Sequence, residues 1–269
     1  PQSAWETHKD DERWRSSYTI WRAYDPHARA YDVLHEPASV RIAQRLWGAN
    51  AKAHEERRCL ACHSDSTSVA LKDAAPPTEG VGCQSCHGDA NWIDTHATWP
   101  NGPGHSAHAV RNGLRDLSNI SVRSEVCAGC HVGAPGSAGI PARDMNHDMI
   151  AAGHPRLNFD YATSVRALSP HWVEKDRNFA PPKLHPPGDE FAHWLIGRAS
   201  TNVASLRLLG DRAKRGPWPE LAEFDCYACH HELSPRNRRN SGSLIWNGPP
   251  LLAVSYTHLR AHETKANLV

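Results

Sequence analysis

At 269 residues the chain is long enough to bury a sizeable core, and its formal net charge of +1 argues against nucleic acid or an anionic membrane surface as its main partner. Only 39% of it is hydrophobic, with 4 Phe and 2 Met against 20 Pro, which is poor material for close-packed helices or sheets. An ordinary aliphatic core is therefore excluded, and no segment reads as a membrane span.

In chain order the pattern is one of short helices between turn-rich loops, with no strand of convincing alternation, so the fold class is mainly α with much irregular structure. Ser39 is placed to N-cap a helix over residues 40–47, with Val40, Ala43, Leu46 and Trp47 on one face and Gly48 as its stop. Residues 51–58 read as a further helical segment that carries His54 into the first cysteine pair. Stretches rich in Pro and Gly at 99–104, 132–141 and 169–189 read as loops. A long helix over about 190–213 follows the last of these.

Against this background one five-residue motif recurs four times: Cys59-Leu-Ala-Cys62-His63, Cys83-Gln-Ser-Cys86-His87, Cys127-Ala-Gly-Cys130-His131 and Cys226-Tyr-Ala-Cys229-His230. Cys-x-x-Cys-His is the attachment site of c-type haem, in which two thiols one helical turn apart form thioethers with the vinyl groups and the following imidazole ligates iron. Paired Cys-x-x-Cys units also bind structural zinc. The fifth residue decides between them: with 19 His in 269 residues, four motifs all followed by His would arise by chance about once in 40,000. All eight cysteines lie within the motifs, so none remains for a disulfide elsewhere. The expected cofactor is haem c, four groups covalently bound, and their apolar faces would supply the burial that the side chains lack. The expected architecture is a multihaem cytochrome c fold built around stacked, covalently bound haems. Each haem with ionised propionates brings roughly −1 when ferric and −2 when ferrous, which makes the loaded protein mildly acidic.

Each iron needs a sixth ligand, and the non-proximal histidines supply the candidates: His27 in Asp25-Pro-His-Ala-Arg-Ala-Tyr31, His54, His96 in Trp92-Ile-Asp-Thr-His, and the pair His147 and His154. The last two are seven residues apart, so on one helix they would share a face about 10 Å apart and serve two neighbouring haems. Met145 and Met149 are disfavoured as ligands where histidines are in such excess. His105, His108, His171, His185, His193 and His231 are read as non-ligands. Arg236, Arg238 and Arg239 read as a solvated loop, with an acidic redox partner as the alternative use.

Short steps between the first three motifs group their haems in one cluster over 20–165, with a fourth haem lobe at 190–235 inside a multihaem domain spanning 1–253. Residues 254–269, from Val254-Ser-Tyr-Thr-His-Leu-Arg onward, resemble a nucleotide adapter translated in frame and are expected to be a non-native tail, which removes His258 and His262 from the ligand candidates.

Gly80-Val-Gly-Cys83-Gln-Ser-Cys86-His87-Gly88, preceded by Arg58-Cys-Leu-Ala-Cys-His63 and followed by Glu125-Val-Cys-Ala-Gly-Cys-His131, resembles the central part of the cytochrome c-554 family over roughly residues 20 to 165. The resemblance implies a mainly helical periplasmic or extracellular protein that carries electrons away from hydroxylamine oxidation, with His27 and His96 at places where the family supplies axial histidines. A haem motif that precedes the His27 segment in that family is missing, which implies a further haem lost with a truncated N-terminus. The fourth motif lies beyond the family's last.

Two functions follow. One is electron transport between redox protein partners outside the cytoplasm, with no catalytic residue assigned; homo-oligomers stay open. The alternative is an oxidoreductase acting on hydroxylamine or nitrite at a five-coordinate haem, with His171 and Asp176 as acid/base groups.

Overall fold

The computed structural model describes residues 17–65, 79–88, 98, 105–137, 139–169, 171, 189–215, 218–224 and 226. Among these the architecture is helical, and β structure is limited to isolated bridges such as Ala134 with Arg143 and Gly88 with Leu114. Helix α1 (Ser17–Tyr24) buries Trp21, whose indole Nε1 donates to the Val81 carbonyl at 3.0 Å. A 3-10 turn follows at Pro26–Arg29. Pro26 presets its first φ, and the Asp25 side chain accepts from the His27 backbone N–H. A second 3-10 turn covers Asp32–His35.

Helix α2 (Pro37–Trp47) starts three residues before the expected 40–47, because Pro37 supplies a ready-made first turn. Ser39 is thus inside the helix, and its hydroxyl donates to the Val33 carbonyl at 2.6 Å instead of capping. Gly48, at φ 102, ends α2 as expected. The predicted helical segment at 51–58 is not formed as such. Glu55 N–H and Glu56 N–H close turns onto Lys52 and Ala53, and Glu56 is extended at ψ 116, so helix α3 (Arg57–His63) begins only after it.

Helix α4 (Cys83–His87) is the second motif itself. Beyond α5 (His105–Arg111), helix α6 (Ile120–His131) is N-capped by Asn119, whose Oδ1 accepts from Ser121 N–H at 2.9 Å. Helix α7 (His147–Ala152) is capped in the same way by Asn146, with the Met149 N–H at 3.0 Å. It closes at Gly153, in the left-handed region at φ 116, so His154 stands beyond the helix and the expected shared helical face of His147 and His154 does not exist. Helix α8 (Tyr161–Ala167) begins on Asp160, and α9 (Asp189–Arg215) matches the expected long helix within two residues at either end.

Helices α6 and α8 pack on α9, while α7 packs on α2. The α8–α9 approach is close enough to require glycine: a Cβ at Gly197 would lie 2.6 Å from the Tyr161 Cβ. Tyr161 is 1% exposed, stacks on His193 and accepts a hydrogen bond from Arg123 Nε at 2.8 Å, which joins the three helices through a satisfied polar knot. A smaller apolar cluster of Tyr31, Leu34, Ala43, Ala53, Cys59 and Leu60 holds α2 against α3. Much of the remaining buried apolar set is alanine, including Ala28, Ala61, Ala109, Ala128 and Ala152, which leaves the middle of the molecule to something other than large side chains. No described helix is long and apolar enough to cross a membrane.

Candidate functional site

The first three motifs converge on one cavity of about 2060 Å³, at least twice the roughly 300–1,000 Å³ of an ordinary small-molecule site. Cys59, Cys62 and His63 reach it from α3, Cys83, Cys86 and His87 from α4, and Cys127, Cys130 and His131 from the C-terminal end of α6. The Cys62 and Cys130 side chains hydrogen-bond to each other, so the first and third motifs share a wall. None of the described cysteines is in a disulfide.

Opposite each of the three described motif histidines stands a second imidazole that also lines the cavity. The ring of His27 lies 5.9 Å from that of His131, His154 lies 6.3 Å from His63, and His171 lies 6.2 Å from His87. Two imidazoles that bind one metal ion from opposite sides, with metal–nitrogen bonds of about 2 Å and roughly 1 Å more to each ring centre, stand about 6 Å apart. All three pairs have that spacing. Phe159 stacks on the His131 ring at 5.0 Å and limits its rotation.

Hydrogen bonds orient several of these rings. His63 Nδ1 donates to the Ala30 carbonyl at 2.8 Å and His154 Nδ1 to the Pro155 carbonyl at 2.9 Å. Because a carbonyl can only accept, Nδ1 carries the proton in both, which leaves Nε2 as the free lone pair. His27 Nδ1 is held by Asp25 Oδ1 at 2.8 Å. Burial pushes the His63, His131, His154 and His171 imidazoles down from their ordinary values, and His87 to about 4, so these rings are neutral and available as ligands. His27 moves the other way, raised by its hydrogen bond to Asp25 against the effect of burial.

Most of the cavity thiols are held in protonated form, and Cys130 is the exception: the hydrogen bond from Cys62, with the Arg143 guanidinium beside it, moves it below the ordinary thiol value. Burial pushes Cys59 and Cys127 up to about 11 and Cys86 to about 12, while the bond to Cys130, with burial, holds Cys62 well above the ordinary thiol value. Cations stand beside the sulfurs: Arg143 Nη1 lies 3.4 Å from Cys130 Sγ, and Arg115 Nη1 donates to the Ser85 and Cys86 carbonyls at 2.6 and 3.2 Å. Arg143 Nε is buried without a hydrogen-bond partner. A buried guanidinium N–H facing an apolar cavity suits an acidic group on a large flat ligand, such as a haem propionate.

The other predicted residues are placed differently. His54 stacks on His35 at 4.3 Å, away from the cavity. His147 opens α7, where its backbone N–H donates to Glu220 Oε1 at 2.9 Å, and it does not line the cavity. Cys226 Sγ is 3.2 Å from Arg156 Nη1, so the fourth motif approaches the segment that follows α7. His96, Cys229 and His230, residues 254–269, and Asp176 fall outside the described residues. Sequence reasoning set His171 aside as a non-ligand and gave it only an acid/base role in the alternative reading, whereas the structure puts its ring opposite that of His87. His171 follows Leu168-Ser169-Pro170 at the start of a proline-rich stretch, with no periodicity to link it to His87, and no local signal marks it as a partner of that ring.

The comparisons with known proteins agree over part of the chain. A family described as cytochrome c554 and c-prime matches residues 7–88, a stretch that contains His27, His54 and the first two motifs and ends just after His87. The chain resembles that family, whose cofactor is covalently bound haem c. Neither a curated protein nor a solved structure matches the chain.

Proposed function

We propose that the chain is a multihaem c-type cytochrome that carries electrons between redox proteins outside the cytoplasm. The observation that carries this reading is the set of three facing imidazole pairs around one cavity, each with a Cys-x-x-Cys pair beside it. Cys59 and Cys62, Cys83 and Cys86, and Cys127 and Cys130 would hold three haem c groups as thioethers, with His63/His154, His87/His171 and His131/His27 as their axial pairs. Bound haem supplies an iron centre that takes up and releases single electrons.

The polypeptide does the rest. Backbone carbonyls and Asp25 fix the ring orientations, and alanine-lined walls leave room for flat apolar groups while helping to exclude water. The high thiol values have a further consequence. Thioether formation needs thiolate character, which Cys59, Cys86 and Cys127 lose on burial, so attachment at these sulfurs belongs to the chain before it closes.

Cys226, Cys229 and His230 would hold a fourth haem apart from the cluster. His147 is our candidate for its second ligand, because Glu220 ties the start of α7 to the turn at Leu221–Glu223 that leads into this motif. The separation of three haems from one rests on two facts, that Cys226 lies outside the cavity and that it stands against Arg156, and the His87/His171 pair extends the three-haem group beyond residue 165. His54 takes no part in this scheme.

The oxidoreductase alternative used His171 as an acid/base group beside an open iron. With its ring facing His87, His171 is better employed as a ligand, which favours a carrier with closed haems. Carbon monoxide added to the reduced protein tests this: the carrier takes up none, whereas stoichiometric uptake at one haem would establish an open site and contradict the proposal.

A further inference from the structure

The described imidazoles of the cavity differ in what holds Nδ1. His63 and His154 give that proton to the neutral carbonyls of Ala30 and Pro155. His27 gives it to a carboxylate, Asp25 Oδ1, at 2.8 Å, and the same oxygen accepts the His27 backbone N–H at 2.9 Å. Asp25 is 7% exposed and its own backbone N–H is tied to the Trp21 carbonyl at 3.1 Å, so its carboxylate is held in place beside the ring.

Resting on the haem reading above, we propose that Asp25 is a positioning residue for His27, one that gives this axial imidazole anionic character and so lowers the reduction potential of the haem attached at Cys127 and Cys130. Two physical effects act in the same direction. An N–H···O⁻ bond from the distal side of a ligating imidazole makes the ring a stronger electron donor, which favours the ferric state. A fixed negative charge within the cavity wall also favours the more positive ferric centre, with little water to screen it. The Arg143 guanidinium at Cys130 Sγ pulls the other way from the thioether side, so the potential is a balance from which the carboxylate can be removed separately. The double use of one oxygen also fixes the ring plane relative to the Pro26–Arg29 turn, and it holds His27 edge-on to His131 at 85°.

The test is Asp25→Asn in the haem-loaded protein, because the amide oxygen keeps an acceptor for His27 while the charge is lost. Spectroelectrochemical titration with electron paramagnetic resonance should show one haem, still low-spin, whose reduction equilibrium moves about tenfold toward the ferrous form, equivalent to about 59 mV upward for a one-electron couple. Unchanged potentials and unchanged g-values would overturn the proposal. Near-infrared magnetic circular dichroism of the unsubstituted protein provides a readout that does not depend on how the variant folds: one haem should show stronger axial donation than the rest, and a single uniform class of bis-imidazole bands would also overturn it. A wild-type protein without covalent haem would instead remove the underlying reading, and this proposal with it.

Discussion

Replacing His171 by Ala removes the ring that faces His87 at 6.2 Å and leaves the other two described facing imidazole pairs intact. That separation is used up by two metal–nitrogen bonds of about 2 Å and two half-rings of roughly 1 Å, so deleting one ring opens one complete coordination position, large enough for a diatomic ligand. With four motifs in the chain, about a quarter of the haem iron should change from low to high spin, and carbon monoxide uptake should rise from none to one equivalent per chain. The lost burial of one half-buried imidazole should cost about 1–2 kcal/mol of stability, too little to unfold a protein anchored by covalent cofactors. His154→Ala should give the same spectral change at the haem of His63, the double variant should give both, and His54→Ala should give neither, since that ring stacks on His35 outside the cavity. Electron paramagnetic resonance of the oxidised variants and a carbon monoxide titration of the reduced ones provide the assay. Low-spin spectra that persist in both His171→Ala and His154→Ala, or a high-spin signal in His54→Ala, would refute the pairing.

Gly80→Ala would place a Cβ 2.1 Å from the His27 carbonyl oxygen and 2.8 Å from that of Ala28, so the turn that carries His27 must move. The expected cost is about 1–3 kcal/mol, seen in chemical denaturation, together with a partial high-spin signal from the haem of His131. Arg212 is 10% exposed at its side chain and pairs with both Asp144 and Glu223, joining α9 to the chain before α7 and to the turn before Cys226. Arg212→Ala leaves two partly buried carboxylates without their cation and should cost about 3 kcal/mol in a urea titration, while the spectra of the three clustered haems stay low-spin.

How much of this was legible in the sequence follows from where the chemistry is local. Thioether attachment and proximal ligation need five consecutive residues, so Cys59 to His63 and its three counterparts can be read without a fold. The opposing ligands come from distant segments. His27 was available through family resemblance, and the structure places its ring against that of His131. His154 was singled out by its spacing from His147, yet its place opposite His63 arises because α7 stops at Gly153 and swings the following residue into the cavity, which a continuous helix would not do. His171 lies in a proline-rich stretch whose course is decided by tertiary packing alone. Among the helices, α9 was clear because its pattern runs over many turns, whereas residues 51–58 were misread because one extended residue, Glu56, divides them. The alanine-rich interior was implied by composition, since a chain poor in large apolar side chains has to enclose something else.

The most direct measurement is diffraction from crystals of the haem-loaded protein with anomalous data at the iron edge. The account predicts iron peaks midway between the rings of His27 and His131, His63 and His154, and His87 and His171, with a further peak near Cys226. Iron that lies elsewhere, or a peak at any of these three midpoints that belongs to zinc, would contradict it.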